Sequence, residues 1–188
     1  MSASNLLQKR QGGGSLIEVM VAALLLAVGL LSMAALQSSA VQLSRDAEYR
    51  AIASEIAFAM SEMVKANAGG AASYSNQIDS FSPAPPAVDI LTNCDAPDAS
   101  CTNEQIAAQD MSRIQALALN RLPAGQVVAQ VTAGAGNTPT MIDLWVAWLP
   151  TDTRSGDAAV DAQLANGCPD GFDAGNVGVR CHYFRIAP

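Results

Sequence analysis

The sequence predicts an α+β fold with one long N-terminal helix, an extra helix and a small antiparallel sheet, and three observations support this prediction. No proline occurs before Pro83, and a helical composition extends from residue 15 to residue 67. Thr102 and Gln105 have the spacing of a capping box, which predicts a second helix ending near Leu122. Three stretches follow that are typical of strands, at 126–132, 141–149 and 179–186.

The first part of the long helix, which we place at residues 14–68, is apolar enough for a membrane. Residues 19–44 contain no charged side chain. A helix needs about 20 predominantly apolar residues to cross a bilayer, so residues 15–40 are expected to be transmembrane. Lys9 and Arg10 precede this segment. Basic residues stay in the cytoplasm, so the rest of the chain, residues 69–188, is expected to be a periplasmic globular head.

The second part of the long helix has an amphipathic pattern. Its apolar residues recur at helical spacing and predict packing against the head; they are Tyr49, Ile52, Ile56, Met60 and Met63. Asp46 and Arg50 have the spacing of an i,i+4 ion pair. An acidic stripe lies on another face and consists of Glu48, Glu55 and Glu62. This stripe is either a solvated face or a lateral contact with another subunit.

In the predicted sheet, one face of the central strand should enter the core. Leu144, Val146 and Trp148 alternate along the strand and share that face, whereas Trp145 points the other way. The segment 133–139 is predicted to be the turn of a hairpin. Residues 69–93 and 150–178 are predicted to be loops because they are rich in Gly, Ser, Pro and Asp.

Charge and cysteine content limit the function. The formal net charge of −7 argues against a nucleic-acid partner, because phosphate binding needs a basic face. Four cysteines in a chain with an export-type N-terminus predict two disulfides. Among three possible connectivities we expect the nearest-neighbour pairs, Cys94–Cys101 and Cys168–Cys181.

No pattern in the sequence indicates catalysis, a metal or a cofactor, so we expect the protein not to be an enzyme. His182 is the single histidine, and neighbouring strand residues point to opposite faces, so it cannot form a dyad with Cys181 within the strand. The cysteine spacings match no zinc motif. The segment 170–176 resembles a calcium loop but lacks the spacing of its ligands and the terminal glutamate.

The residues before the apolar run are more specific. Glu18 lies at the start of this run, where a carboxylate in lipid costs about 2.5–3.5 kcal/mol. It is either a residue at the headgroup level or a functional one. The segment 13–19, Gly-Gly-Ser-Leu-Ile-Glu-Val, resembles the class III signal of type IV pilins and pseudopilins. The resemblance implies that prepilin peptidase removes residues 1–13 by cleavage between Gly13 and Gly14, and that Gly14 is then N-methylated. Gly14 departs from the phenylalanine that most relatives have there.

Other segments are similar to minor pilins of the PilV type, namely 51–56, 63–67, 94–123 and 144–148. The resemblance implies the type IV pilin fold, in which the long helix packs on the sheet. It implies a minor pilin that moves from the inner membrane into type IV pili. There it would prime assembly with other minor pilins, major pilins and a tip adhesin, supporting twitching motility and cell adhesion. Glu18 would then meet the α-amino group of Gly14 on a neighbouring subunit.

Two other functions fit parts of the pattern. A pseudopilin of a type II secretion system would share the leader and the helix. A membrane-anchored periplasmic enzyme or binding protein would instead tolerate replacement of Glu18 and would have a pocket with convergent polar groups.

Overall fold

The structure is a computed structural model that describes residues 16–76, 78–96, 98–134, 140–150, 167–172 and 178–188. The predicted leader, the residues Gly13 and Gly14 and most of the predicted loop 150–178 lie outside the described residues. Three helices and three strands are described. They are α1 (Leu16–Ala66), a 3-10 helix (Ala68–Ser73), α2 (Asn103–Arg121), β1 (Gln126–Thr132), β2 (Met141–Trp148) and β3 (Arg180–Ile186). This is the predicted α+β content, in the predicted order.

The chain divides into two compact units, residues 1–43 and residues 44–188. The first unit contains the apolar part of α1. The second contains the remainder of α1, the 3-10 helix, α2 and the sheet. The strands form one antiparallel sheet in the order β1-β2-β3. Val127 pairs with Val146 between the first two strands, and Val146 pairs with His182 between the last two.

The second helix begins and ends as the sequence predicts. The Thr102 side chain accepts a hydrogen bond from the Gln105 backbone N–H at 3.3 Å, and the Gln105 side chain accepts one from the Thr102 N–H at 2.9 Å. These reciprocal bonds satisfy donors that a helix start otherwise leaves free. The helix ends at Arg121, and Leu122 is extended because it precedes Pro123.

The amphipathic part of α1 packs into the main core of the second unit. Ile56 and Met60 are buried, and Tyr49, Ile52 and Met63 pack against them as partly buried residues. The predicted apolar stripe is therefore confirmed. Small residues that the prediction left out also contribute, because Ala53 and Ala57 are buried on the same face of the helix. A side chain this short allows neighbouring elements to approach closely.

Each face of the sheet packs against its own hydrophobic cluster. Leu144, Val146 and Trp148 enter the main core, as predicted from their alternation. Trp145 lies on the opposite face with a smaller cluster of buried residues that includes Phe81 and Phe172. The rings of Phe81 and Phe172 meet edge to face, with their centroids 5.9 Å apart.

Residues after α1 form a tight 3-10 turn where the sequence predicted a loop. Gly70 is required here because a Cβ atom at this position would lie 2.7 Å from the backbone oxygen of Asn103. A second close approach occurs at Gly125, where a Cβ atom would lie 2.0 Å from the backbone oxygen of Ala118. These two glycines let α2 lie directly against the elements that precede and follow it.

The edge of β1 that faces away from β2 is hydrogen-bonded to side chains of other elements. Gln115 of α2 donates to the Val127 carbonyl at 2.5 Å and accepts from the Val127 N–H at 3.2 Å. The Asn76 side chain accepts from the Ala129 N–H at 2.8 Å, and the Asn76 backbone N–H donates to the Ala129 carbonyl at 3.2 Å. The backbone groups of Val127 and Ala129 that face away from β2 are thus satisfied.

Candidate functional site

The N-terminal end of the described part of α1 holds the predicted assembly residue. The structure describes α1 from Leu16 onward, and Glu18 lies in the first turn of this described part. The side chain of Glu18 is exposed.

The apolar part of α1 has an uncovered surface on every side. Each large apolar side chain from Leu16 to Leu43 is at least 53% exposed. Within the described residues, α1 is the one helix long and apolar enough to cross a membrane by length and composition. An apolar surface this extensive is stable in lipid or against other apolar surfaces, and unfavourable in water.

Two hydroxyl groups on this segment are satisfied within the helix itself. Ser32 donates to the carbonyl of Val28 at 2.9 Å, and Ser39 donates to the carbonyl of Ala35 at 3.2 Å. A polar group in hydrocarbon must find a partner because no water is available. These two hydroxyl groups therefore meet a requirement of a lipid environment.

The four cysteines form two disulfides, in the pairs expected from the sequence. Cys94 is bonded to Cys101 with an S–S distance of 2.04 Å, and Cys168 to Cys181 with one of 1.97 Å. The first bridge closes a ring immediately before α2. The second ties the segment 167–172 to β3.

The ring before α2 is also bonded to that helix. Gln109 accepts from the Cys94 N–H at 2.9 Å and donates to Asp95 at 2.8 Å. Arg113 forms an ion pair with Asp95. The Arg113 guanidinium lowers the pKa of the Asp95 carboxyl group. These contacts hold the ring against one face of α2.

A buried polar network joins the end of α1 to α2. Tyr74 is fully buried, and its hydroxyl donates to Oδ2 of Asp110 at 2.6 Å. Asn67 donates to the Tyr74 hydroxyl at 3.3 Å and to the Asn103 carbonyl at 2.8 Å. Burial, followed by the hydrogen bond to Asp110, raises the pKa of Tyr74. The hydroxyl is consequently a donor throughout the neutral range.

Two glutamates of the acidic stripe have cationic partners in the same chain. Glu55 pairs with Arg121 at 3.1 Å, and Glu62 pairs with Lys65 at 3.0 Å. Both pairs are largely exposed, so each contributes little to stability. The internal partners favour the interpretation of the stripe as a solvated face.

Ion pairing near the start of the second unit differs from the sequence expectation. Asp46 pairs with Arg180 of β3, and the predicted Asp46–Arg50 pair is not among the ion pairs of the described residues. A long-range partner thus replaces the i,i+4 partner. Arg50, Trp148, Arg180, Cys181 and His182 surround a cavity of about 180 Å³.

A larger and mostly apolar cavity of about 440 Å³ lies between α2, the start of β1 and the segment 76–88. Two of the polar side chains that line it, Gln115 and Gln126, bond to the protein backbone. In the described part of the chain, no group of three or more His, Cys, Asp or Glu side chains could hold a metal ion.

Comparison with known proteins identifies no relative. No family model matches the chain, and no curated protein or solved structure matches it significantly.

Proposed function

We propose that this chain is a minor pilin of the PilV type, which is anchored in the inner membrane and then incorporated into type IV pili. The observation that carries the proposal is Glu18, an acidic residue in the first described turn of a helix whose apolar surface is uncovered. A simple membrane anchor has no need of a carboxylate there, because a charge in the hydrocarbon makes insertion less favourable, by about 2.5–3.5 kcal/mol at the helix centre.

The proposed route begins in the inner membrane. The apolar run from Leu16 to Leu36 would be about 31 Å long as a helix, close to the hydrocarbon thickness of a bilayer. Lys9 and Arg10 would remain cytoplasmic, and the head would lie in the periplasm. Two disulfides suit that compartment because it is oxidising.

Assembly would follow cleavage between Gly13 and Gly14. The new α-amino group of Gly14, after N-methylation, still carries a positive charge. In a filament this group would meet Glu18 of a neighbouring subunit, where low dielectric strengthens the attraction between opposite charges. The apolar parts of α1 from several subunits would then pack together and replace lipid contacts. The type IV pilin fold, with the head sheet packed on the long helix, is consistent with this scheme.

In the proposed role the subunit primes the pilus together with other minor pilins and a tip adhesin, before major pilins extend the shaft. Twitching motility and adhesion would depend on it. A pseudopilin would show the same maturation, so surface pili and type II secretion need to be measured in the same strain. Loss of pili with normal secretion is the outcome expected for a minor pilin.

The test is complementation of a strain that lacks the gene, with Glu18→Ala compared with the wild type. The mutant should accumulate in the inner membrane at or above the wild-type level, because the charge penalty has been removed. It should fail to restore surface pili. Glu104→Ala is the matched control, since Glu104 lies in the first turn of α2 on the exposed head surface. Full piliation with Glu18→Ala would refute the proposal, as would equal losses for both variants.

Maturation provides an independent measurement. Mass spectrometry of the membrane-associated protein should give a mature chain that begins at methylated Gly14. Replacing Gly13 with a bulky residue should leave the precursor uncleaved, because the peptidase site would no longer accept it. Normal cleavage of such a variant would contradict the proposed processing site.

A further inference from the structure

The cavity between α1 and the end of the sheet, here called the arginine cavity, is lined by Arg50, Trp148, Arg180, Cys181 and His182. It has an excess of positive charge in a chain whose net charge is −7. Two guanidinium groups line it, and Asp46 is ion-paired with only one of them, Arg180. Among the described residues, no carboxylate forms an ion pair with Arg50.

Two buried donors at this cavity lack an acceptor within the described part of the chain. They are the indole Nε1 of Trp148 and Nε of Arg180. Trp148 is only 2% exposed and Arg180 only 7%, so bulk water does not solvate these groups freely. A buried donor without a partner costs about 1–3 kcal/mol, and more for a charged group. The lining of the arginine cavity thus includes two residues that each carry an unsatisfied buried donor.

His182 also experiences the excess of positive charge in the arginine cavity. Burial, followed by the positive charge of Arg50, lowers the pKa of its imidazole. Its Nδ1 atom is also buried and has no partner among the described residues. A negative charge in the arginine cavity would offset the repulsion between Arg50 and a protonated His182.

We propose that the arginine cavity is a binding site for a small oxyanion, such as a carboxylate or sulfate. An oxyanion offers several acceptor atoms around one charge, which suits the guanidinium groups of Arg50 and Arg180, supplied by α1 and β3. A volume of about 180 Å³ accommodates a group of this size. The oxyanion is either a free anion or a carboxylate presented by a second copy of this chain.

The experiment is a titration of the full-length protein in detergent micelles, followed by the indole N–H signals in ¹H–¹⁵N NMR spectra. The chain has two tryptophans, and Trp145 lies on the opposite face of the sheet, so its signal is an internal reference. Trp145→Phe assigns the two signals. Sodium acetate and sodium sulfate are added against sodium chloride at constant ionic strength. The Trp148 signal should shift saturably with both oxyanions, whereas the Trp145 signal should not.

Two variants identify the contribution of the cationic lining. Arg50→Gln should weaken acetate binding about tenfold or more, the loss expected for a hydrogen bond to a charged group. Because Arg50 is exposed, this variant should fold normally. Arg185→Gln is the matched control, since Arg185 is exposed and faces Asp143 away from the cavity. It should bind acetate like the wild type.

A dilution series in chloride buffer distinguishes the two sources of the oxyanion. If a second copy supplies the carboxylate, the Trp148 signal should move with protein concentration, and added acetate should reverse the movement. If the anion is free, dilution should have no effect. The proposal is overturned if neither titration nor dilution moves the Trp148 signal more than that of Trp145. It is equally overturned if Arg50→Gln leaves the affinity unchanged.

Discussion

The buried hydroxyl of Tyr74 should contribute far more to stability than any exposed hydroxyl in the head. Tyr74→Phe removes one oxygen atom and keeps the ring, so no large cavity forms in the core. The change deletes a 2.6 Å hydrogen bond to Asp110, which is only 8% exposed. The Asp110 oxygen would then lack its donor in a buried site, and Asn67 would retain its 2.8 Å bond to the Asn103 carbonyl.

The expected loss of unfolding free energy is about 1.5–3 kcal/mol, the range for a buried hydrogen bond to a charged acceptor. Tyr183→Phe is the matched control. Tyr183 also donates to a carboxylate, Oδ1 of Asp143 at 2.5 Å, but it is 44% exposed and water can replace the bond. Its replacement should cost about 0.5 kcal/mol or less.

The assay is equilibrium urea unfolding of the full-length protein in detergent, followed by tryptophan fluorescence from the sheet. Equal losses for Tyr74→Phe and Tyr183→Phe would refute the reasoning, since burial would then make no difference. A double-mutant cycle with Asp110→Asn adds a second criterion. The cost of Tyr74→Phe should fall clearly in the Asp110→Asn background, because contacting residues are coupled. Additive costs would show that the two side chains do not interact.

Three further predictions follow from other contacts. Gly125→Ala should lower the unfolding free energy by about 1–3 kcal/mol in the same urea assay, because its Cβ atom would collide with a backbone oxygen of α2. Removing the bridge between Cys94 and Cys101 by a double serine replacement should cost about 2–3 kcal/mol in the chain-entropy model, and non-reducing peptide mapping of the wild type should find that pair. An NMR titration should give His182 a pKa below 6.5, and Arg50→Gln should raise it. Because the folded state disfavours protonated His182, stability should fall as the pH decreases below about 6.5, and a pH-independent urea midpoint would contradict this.

Local patterns in the sequence predicted much of the fold. The capping box at Thr102 and Gln105 predicted the start of α2. Alternation along β2 predicted that Trp148 enters the core on one face of the sheet and that Trp145 lies on the opposite face. These patterns succeed because backbone capping and strand alternation depend on residues close in the sequence. The 3-10 helix after α1 was missed, since its glycine is required by contact with the distant Asn103.

Of the two candidate sites, the sequence indicated only the one that depends on residues close together in the chain. Glu18 could be proposed as a site residue because its position relative to an apolar run is visible in the sequence. The arginine cavity was not, because β3 brings Arg180 to Asp46 across 134 positions of the chain. Spacing alone favoured Arg50 as the partner of Asp46, and tertiary packing selected a different arginine. The sequence pointed to the arginine cavity only indirectly, because basic residues are few in the acidic head and each one is therefore worth locating.

The side-chain amides of Asn76 and Gln115, which bond to the outer edge of β1, limit how two copies of this protein can associate. A foreign strand that added to β1 would have to displace the bonds that Asn76 and Gln115 make with Val127 and Ala129. Exposed strand edges are templates for aggregation, and proteins commonly protect them. In the membrane proposed above, copies of this chain would collide often and in similar orientations. With β1 blocked in this way, the sheets of two copies would not join through that strand, and the order of the proposed assembly would depend on reversible contacts.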